Sequence, residues 1–173
     1  MNQKIRTMKE LFLIRHAKSD WDKMDIKDID RPLKGRGVRD ALMMGEYLGK
    51  HFDHPMMMYA SPACRAIHTA VLFCRALADP CEIIQVKKEL YLASYNEMLS
   101  LIRHAPAAVD VLALITHNPG ITDMANFFLD ESIHNIPTSG FVYMAFDCDS
   151  WEEVKSDNRI KHAFHYPKEL LTE

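Results

Sequence analysis

The near-continuous apolar run at residues 109–115 restricts the fold of this chain more than any other feature of its sequence. A strand that is apolar on both faces must be covered on both faces, so it requires helices above and below its sheet. Shorter apolar runs at residues 10–14, 56–60, 82–86 and 141–146 alternate with longer amphipathic segments. This alternation is typical of strands joined by crossover helices. The sequence therefore predicts an α/β fold, a doubly wound three-layer sandwich with a mostly parallel central sheet.

The segments between these strands carry helical spacing. Apolar residues recur at intervals of three and four over residues 38–50, which predicts a helix preceded by a polar loop at residues 25–37. Pro32, Gly35 and Gly37 are assigned to that loop as breaking residues. Further helices are predicted at residues 63–77, 94–105 and 121–129.

Two serines mark predicted helix starts. Ser61 is expected to be the N-cap of the helix at residues 63–77, with Pro62 in its first turn. Ser94 is followed three residues later by Glu97, which is the spacing of a capping box and favours a structural role for that glutamate. The strand-like segment at residues 160–165 and the strand before it are left open to antiparallel pairing at the sheet edge.

Composition narrows the class of protein. A chain of 173 residues with 48% hydrophobic content suits a single domain over residues 1–173. We expect no signal peptide and no membrane span, because no apolar run approaches the roughly 20 residues that cross a bilayer. A net charge of -3 argues against nucleic-acid binding. The four cysteines show no CxxC pairing, so we expect neither a disulfide framework nor a zinc site, and a cytoplasmic location.

Cationic or titratable side chains follow three of the predicted strands. Arg15 and His16 end the first, Arg65 follows the second, and His117 follows the apolar run at residues 109–115. Ligands of doubly wound sheets bind beyond the carboxyl ends of the strands, so these side chains are expected to converge. The three short motifs contain no acidic residue, and arginine forks suit phosphate oxygens. The sequence therefore predicts a pocket for a doubly charged anion.

Histidine adds reactivity to this pocket. A neutral imidazole is a nucleophile toward phosphorus, and a phosphohistidine intermediate divides one difficult displacement into two easier ones. Arg15 and Arg65 would stabilise negative charge on the phosphoryl oxygens in the transition state. No metal and no cofactor are predicted, because the arginines neutralise that charge.

Several motifs together resemble the histidine phosphatase superfamily, the phosphoglycerate mutase-like clan, and within it the SixA-type phosphohistidine phosphatases. The motifs are LIRHAKS, DRPLKGRG, SPACRAIHTA, ITHNPGI and PTSG, in this order along the chain, with Ala17 where glycine is common. The resemblance implies a phosphoglycerate mutase-like fold and identifies His16 as the phosphorylated nucleophile.

The resemblance also assigns roles to other positions. Arg15, Arg65 and His117 would complete the phosphate pocket, and Arg31 would be a further phosphate or substrate contact. Lys18 and Ser19 follow the first strand directly, and substrate contact or an ordinary solvated turn are equally open for them.

One role of the larger members of this clan, a carboxylate general acid, has no convincing match. Glu89 and Glu97 are the candidates. An alkoxide leaves phosphorus poorly unless it is protonated, so a phosphomonoesterase needs such an acid. The ring nitrogen of phosphohistidine can leave as neutral imidazole. A site without a strong acid therefore favours a phosphoramidate substrate.

Three functions are consistent with these observations. The first is a metal-independent phosphatase that hydrolyses phosphohistidine on a partner protein, such as a phosphotransfer domain, through phosphorylated His16. The second is a phosphatase for a small phosphomonoester or nucleotide, with Glu89 or Glu97 as the general acid. The third is a non-catalytic module that binds phosphorylated proteins, against which the nucleophile and the second histidine argue.

Overall fold

The computed structural model describes residues 8–21 and 25–171. The N-terminal residues on which the expectation of no signal peptide depends lie partly outside this range. The described strands are β1 Lys9–Arg15, β2 Met57–Ala60, β3 Ile84–Val86, β4 Val111–Thr116, β5 Phe141–Phe146 and β6 Arg159–His165. The described α-helices are α1 Gly35–His51, α2 Cys64–Leu77, α3 Tyr95–Arg103, α4 Gly120–Phe128 and α5 Pro167–Leu170. No helix of the described part is both long and apolar enough to cross a membrane.

The strands form one six-stranded sheet in the order β3-β2-β4-β1-β5-β6. The pairs β2–β3, β2–β4 and β1–β4 are parallel, whereas β5 pairs antiparallel with β1 and β6 antiparallel with β5. The mostly parallel sheet is as predicted. Of the two final strands, β6 lies at the edge, and β5 lies inside the sheet beside β1.

The alternation of side chains along β1 divides the core into two layers. Leu11 and Leu13 pack in a cluster that includes residues of α3 and α4, whereas Phe12 and Ile14 pack in a cluster with residues of α1 and α2. All four side chains are fully buried. Burial of each is worth about 1.5–3 kcal/mol, so β1 is held firmly between two helical layers. The two helical layers and the sheet form the predicted three-layer sandwich. The carboxyl end of β1 is therefore a rigid position for the side chains that lie there.

The assignment of Gly35 and Gly37 to a polar loop is wrong, because helix α1 begins at Gly35. Spacing alone places the helix start at residue 38, but the two glycines adopt helical backbone. Gly37 is required for close packing and not for a break. A Cβ atom there would lie 2.3 Å from the carbonyl oxygen of Lys18. The start of α1 therefore packs directly on the turn that follows β1.

The other boundaries shift by smaller amounts. The predicted strand at residues 82–86 begins only at Ile84, because Cys81–Ile83 forms a 3₁₀ turn. The predicted strand at residues 109–115 becomes Val111–Thr116, and the helix at residues 121–129 becomes Gly120–Phe128. Hydrophobic periodicity does not distinguish an apolar turn residue from the first residue of a strand.

Candidate active site

The carboxyl ends of β1, β2 and β4 lie side by side and open into a cavity of about 250 Å³. Its lining includes Arg15, His16, Lys18, Ser19, Arg31, Arg65 and His117. All side chains predicted for the anion pocket from the three strand ends are therefore brought together. A larger cavity of about 420 Å³ lies beside Glu10 and Tyr143, near the opposite end of β1, and contains none of these residues.

His16 has a fixed ring orientation. Its side chain is 9% exposed, and Nδ1 donates to the carbonyl oxygen of Ala17 at 2.8 Å, which leaves the lone pair on Nε2. Nε2 lies 3.3 Å from the Nε of Arg65, which donates to it. Burial lowers the pKa of His16 from its usual 6.5 to about 3, and the neighbouring positive charges act in the same direction. The ring is therefore neutral at physiological pH, as a nucleophile must be.

Helix α2 holds Arg65 against His16. Arg65 lies in the first turn of that helix and is 2% exposed. One turn later the hydroxyl of Thr69 donates to the Arg65 carbonyl oxygen at 2.6 Å and accepts from the amide of Ala17 at 2.9 Å. The same hydroxyl thus joins the turn after β1 to α2, which sets the spacing of the two side chains.

His117 lies beyond the end of β4 with its ring centroid 5.0 Å from that of His16. Its Nε2 is 2.7 Å from the hydroxyl oxygen of Ser61, which also accepts from the amide of Ala63. We assign the Ser61 proton to the hydrogen bond with Nε2, and this assignment places the ring hydrogen on Nδ1. Nδ1 is buried without a hydrogen-bond partner. Burial lowers the pKa of His117 to about 4, and nearby arginines contribute, so this ring is also neutral.

The prediction that Ser61 caps helix α2 is wrong. That helix begins at Cys64 with Ala63 as its N-cap, and Pro62 precedes the helix. The hydroxyl of Ser61 is fully buried and instead orients His117. Sequence spacing cannot reveal this contact, since the two residues lie 56 positions apart.

The guanidinium of Arg15 is hydrogen-bonded through Nη1, whereas its Nε has no hydrogen-bond partner. Its Nη1 donates to the carbonyl oxygen of Ile136 at 2.7 Å and to the side-chain oxygen of Asn135 at 3.1 Å. Its Nε is buried and has no hydrogen-bond partner. Burial lowers the pKa of the guanidinium. Buried donors without a protein partner are rare, so Arg15 Nε and His117 Nδ1 are the groups of this cavity that could donate to a bound anion.

Arg31, Ser19 and Lys18 line the same cavity with different surroundings. Arg31 donates from Nη1 to the hydroxyl of Ser19 at 3.1 Å, and both side chains are buried. Ser19 therefore positions Arg31, and the turn it lies in is not a solvated one. Lys18 is exposed and lies at the rim of the cavity.

Asp28 is the main residue of the cavity that sequence reasoning missed. Its carboxylate accepts from Arg31 at 2.6 and 3.1 Å, from Arg65 Nη2 at 2.9 Å and from the Tyr91 hydroxyl at 2.8 Å. Its backbone oxygen accepts from Arg65 Nη1 at 2.5 Å. Partial burial opposes ionisation, but these hydrogen bonds prevail and lower the pKa of Asp28 to about 2. Its loop contains several acidic residues, and nothing in their order indicates which one faces the arginines.

The two candidate acids lie away from the lining of this cavity. Glu97 completes the predicted capping box, because its carboxylate accepts from the Ser94 amide at 2.8 Å and the Ser94 hydroxyl accepts from the Glu97 amide. These bonds lower the pKa of Glu97. Glu97 lines an adjoining cavity that also touches His117. Exposed Glu89 lines a further cavity together with Glu97, and that cavity contains none of the predicted site residues of the strand ends.

The described part of the chain contains no cluster of metal-ligating side chains. No group of three or more His, Cys, Asp or Glu side chains there could hold a metal ion. The metal-independent chemistry stays a prediction to be tested in solution.

Comparison with known proteins agrees with this geometry. The model of the histidine phosphatase superfamily (branch 1) matches residues 11–113. An uncharacterised protein of Mycobacterium leprae is 26% identical over 167 residues, which cover 90% of this chain and 100% of that protein.

Two solved structures have the same fold. One, provisionally named phosphohistidine phosphatase SixA of Nakamurella multipartitia, has a TM-score of 0.76 at 21% identity and covers 92% of this chain and 96% of that one. The SixA structure from Agrobacterium tumefaciens, also provisionally named, has a TM-score of 0.71 at 27% identity and covers 79% and 90%. The predicted phosphoglycerate mutase-like α/β sandwich is confirmed by these matches.

Proposed function

Because this chain belongs to the histidine phosphatase superfamily, we propose that it is a metal-independent phosphohistidine phosphatase that acts on a partner protein through phosphorylated His16. The observation that carries the proposal is a small cavity in which neutral His16 presents its Nε2 lone pair to the guanidinium of Arg65, beside the side chains of Arg15 and His117. A phosphoryl group would satisfy the unpaired Nε of Arg15 and Nδ1 of His117 while it binds Nε2 of His16.

In the first step, His16 Nε2 attacks the phosphorus atom of the substrate. The new N–P bond forms as the bond between phosphorus and the substrate's ring nitrogen breaks, and that nitrogen keeps the electron pair. The guanidinium of Arg65, already 3.3 Å from Nε2, would follow the phosphoryl group and neutralise its oxygens. Arg15 and His117 would donate to the same oxygens, which bear the charge in the transition state.

The acid–base character of the cavity supports a nitrogen leaving group. Among the described residues that line it, Asp28 is the one carboxylate, and the low pKa of about 2 keeps that group ionised. An ionised carboxylate held by two arginines cannot donate a proton to an alkoxide. The imidazole released from phosphohistidine needs no such donor, because it leaves neutral or takes its proton from water.

In the second step, a water molecule attacks the phosphorus atom of phosphorylated His16. The N–P bond breaks, and its electrons return to Nε2. One proton of the water stays on the inorganic phosphate, and the other passes to solvent, where it replaces the proton that the released imidazole took up. The net reaction consumes one water and regenerates neutral His16, so no oxidant, metal or cofactor enters the balance.

The size of the cavity supports a phosphorylated side chain as the substrate. Small-molecule sites usually measure about 300–1,000 Å³, whereas this cavity is about 250 Å³. A phosphoryl group with one attached ring requires less room than a complete metabolite. A phosphotransfer domain, which presents phosphohistidine at its surface, is a partner of this kind.

The described cysteines are all free thiols, which supports a reducing compartment such as the cytoplasm.

A phosphatase for a small phosphomonoester or nucleotide is the second candidate. The favourable observation is that Glu97 and His117 line one adjoining cavity, so a longer substrate could reach a carboxylate. Against it, Glu97 is engaged in the capping box, and its pKa is lowered.

The test compares two substrates in EDTA. A histidine-phosphorylated phosphotransfer domain should release phosphate at least tenfold faster than an alkyl phosphomonoester, and His16→Ala should abolish release. Faster ester hydrolysis that Glu97→Gln or Glu89→Gln eliminates would establish the second candidate instead. Tight binding of either ligand without turnover would indicate a binding module and refute both enzymes.

A further inference from the structure

Two large apolar side chains stand exposed at the mouth of the cavity. Trp21 is 67% exposed and Leu92 is 62% exposed. Scattered apolar residues on a surface are ordinary, but these two line the same strongly cationic cavity. Their position beside the arginines suits a ligand with an anionic group at one end and an apolar group at the other.

The indole of Trp21 is held in place on one side. The Cζ atom of Arg31 lies 3.5 Å from the centroid of the ring system, so the guanidinium packs against one ring face. Arg31 is itself 7% exposed and is fixed by Ser19 and Asp28. Trp21 is highly exposed, and among the described residues no ring or cation other than Arg31 packs on it, so its other face is open to a ligand.

Leu92 is presented to the mouth by a constrained backbone. Its φ of 52° lies in the left-handed region, which is strained for a residue with a branched side chain. Buried residues on both sides, Leu90 and Ala93, hold the segment, and the hydroxyl of Thr116 donates to the Leu90 carbonyl oxygen at 2.8 Å. Strain of this kind is concentrated at ligand contacts. The backbone at Leu92 is thus held in place, with its apolar side chain exposed at the mouth of the cavity.

We propose that Trp21, with Leu92, is the recognition site for the leaving group and that the group it selects is a planar aromatic ring, the imidazole of phosphohistidine. This inference rests on the proposed function above. With the phosphoryl group at His16 and the arginines, the attached ring extends toward the mouth, where the open face of the indole stacks on it. A leaving group without a ring gains nothing from this contact.

The experiment uses two phosphoramidates that differ in the leaving group. Phosphohistidine releases an imidazole ring, whereas phosphoramidate itself releases ammonia. We expect Trp21→Ala to lower kcat/KM for phosphohistidine about tenfold, a stacking contribution of about 1.4 kcal/mol, and to change kcat/KM for phosphoramidate less than twofold. Trp21→Phe, which keeps a ring, should restore most of the loss. Leu92→Asn, which tolerates the left-handed backbone but removes the apolar wall, should reduce only phosphohistidine turnover.

Phe127 provides the matched control. It is an exposed aromatic residue on α4 that is stacked on Tyr95 away from the cavity, so Phe127→Ala should leave both substrates unaffected. An equal loss for both substrates in Trp21→Ala would overturn the inference, because Trp21 would then act only by holding Arg31. No loss for either substrate would overturn it as well. If the unmodified protein hydrolyses neither phosphoramidate, the proposed function fails, and the inference fails with it.

Discussion

Replacement of Asp28 by asparagine tests how the arginines of the cavity are held. The carboxylate of Asp28 accepts from Arg31, Arg65 and the Tyr91 hydroxyl at the same time. Asparagine has a single acceptor oxygen, so it can keep the Arg31 contacts or the Arg65 contact, but not both. The NH2 group of the asparagine would then face the N–H donors of the other arginine. We expect Arg65, which approaches His16, to lose its orientation.

The magnitude follows from the contacts. A lost hydrogen bond to a charged group costs about 1.5–3 kcal/mol, and solvent screening reduces this for Asp28, whose side chain is 43% exposed. We therefore expect an effect of about 1.4 kcal/mol, a tenfold decrease in kcat. KM should change by no more than about threefold, since the positive charge of Arg65 remains.

Steady-state phosphate release from a phosphohistidine protein measures both parameters. Tyr91→Phe removes one of the hydrogen bonds to Asp28 and keeps the charge, so it should reduce kcat only about twofold. Asp30→Asn removes an exposed carboxylate from the same loop and serves as the matched control with unchanged kinetics. Faster turnover by Asp28→Asn would refute the reasoning, because the carboxylate would then compete with the phosphoryl group for the arginines.

Three further predictions concern the cap, pH and close packing. Glu97→Ala should lower Tm by a few degrees in thermal denaturation, because the capping box is lost. The rate of phosphate release from phosphohistidine should stay within about twofold. A large loss of this activity would instead identify Glu97 as a catalytic acid. The low pKa values of His16 and His117 mean that the unfolded chain binds protons first as pH falls through 6.5. The free energy of unfolding should therefore decrease by about 2 kcal/mol for each of the two histidines between pH 7 and 5. In urea denaturation, His16→Asn should show about half of the combined decrease. An unchanged pH dependence in that variant would contradict the low pKa of His16. Gly120→Ala would place a Cβ atom 1.9 Å from a backbone carbonyl oxygen of the segment before α3, so unfolding should become easier by about 1–3 kcal/mol, and an unchanged Tm would contradict this packing.

The convergence of the strand ends could be predicted from the sequence because it depends on a simple rule. Apolar runs place the strands, and parallel strands of a sandwich end at one edge. Arg15 ends β1, and His16 and His117 follow β1 and β4 directly. Arg65 lies in the first turn of the helix after β2, so the meeting of the four side chains required no knowledge of their contacts. The structure brings all four to one cavity.

Contacts between distant polar residues could not be predicted in this way. Asp28 and Arg65 are 37 positions apart, and their pairing depends on how the loop before α1 folds over the cavity. Ser61 has the sequence context of a helix cap, yet it binds His117. Gly37 looks like a helix breaker and is instead a point of close approach. Each of these depends on a tertiary contact that overrides a local propensity.

In the proposed reaction, His16 carries the phosphoryl group between substrate and water. The most direct measurement is a single turnover with a ³²P-labelled phosphohistidine protein in EDTA, quenched in alkali and analysed by peptide mapping. We predict an acid-labile label on the peptide that contains His16, and a decrease in phosphate release of about 10³-fold or more in His16→Asn. Phosphate release by His16→Asn at the rate of the unmodified chain, with no label at His16, would contradict the account.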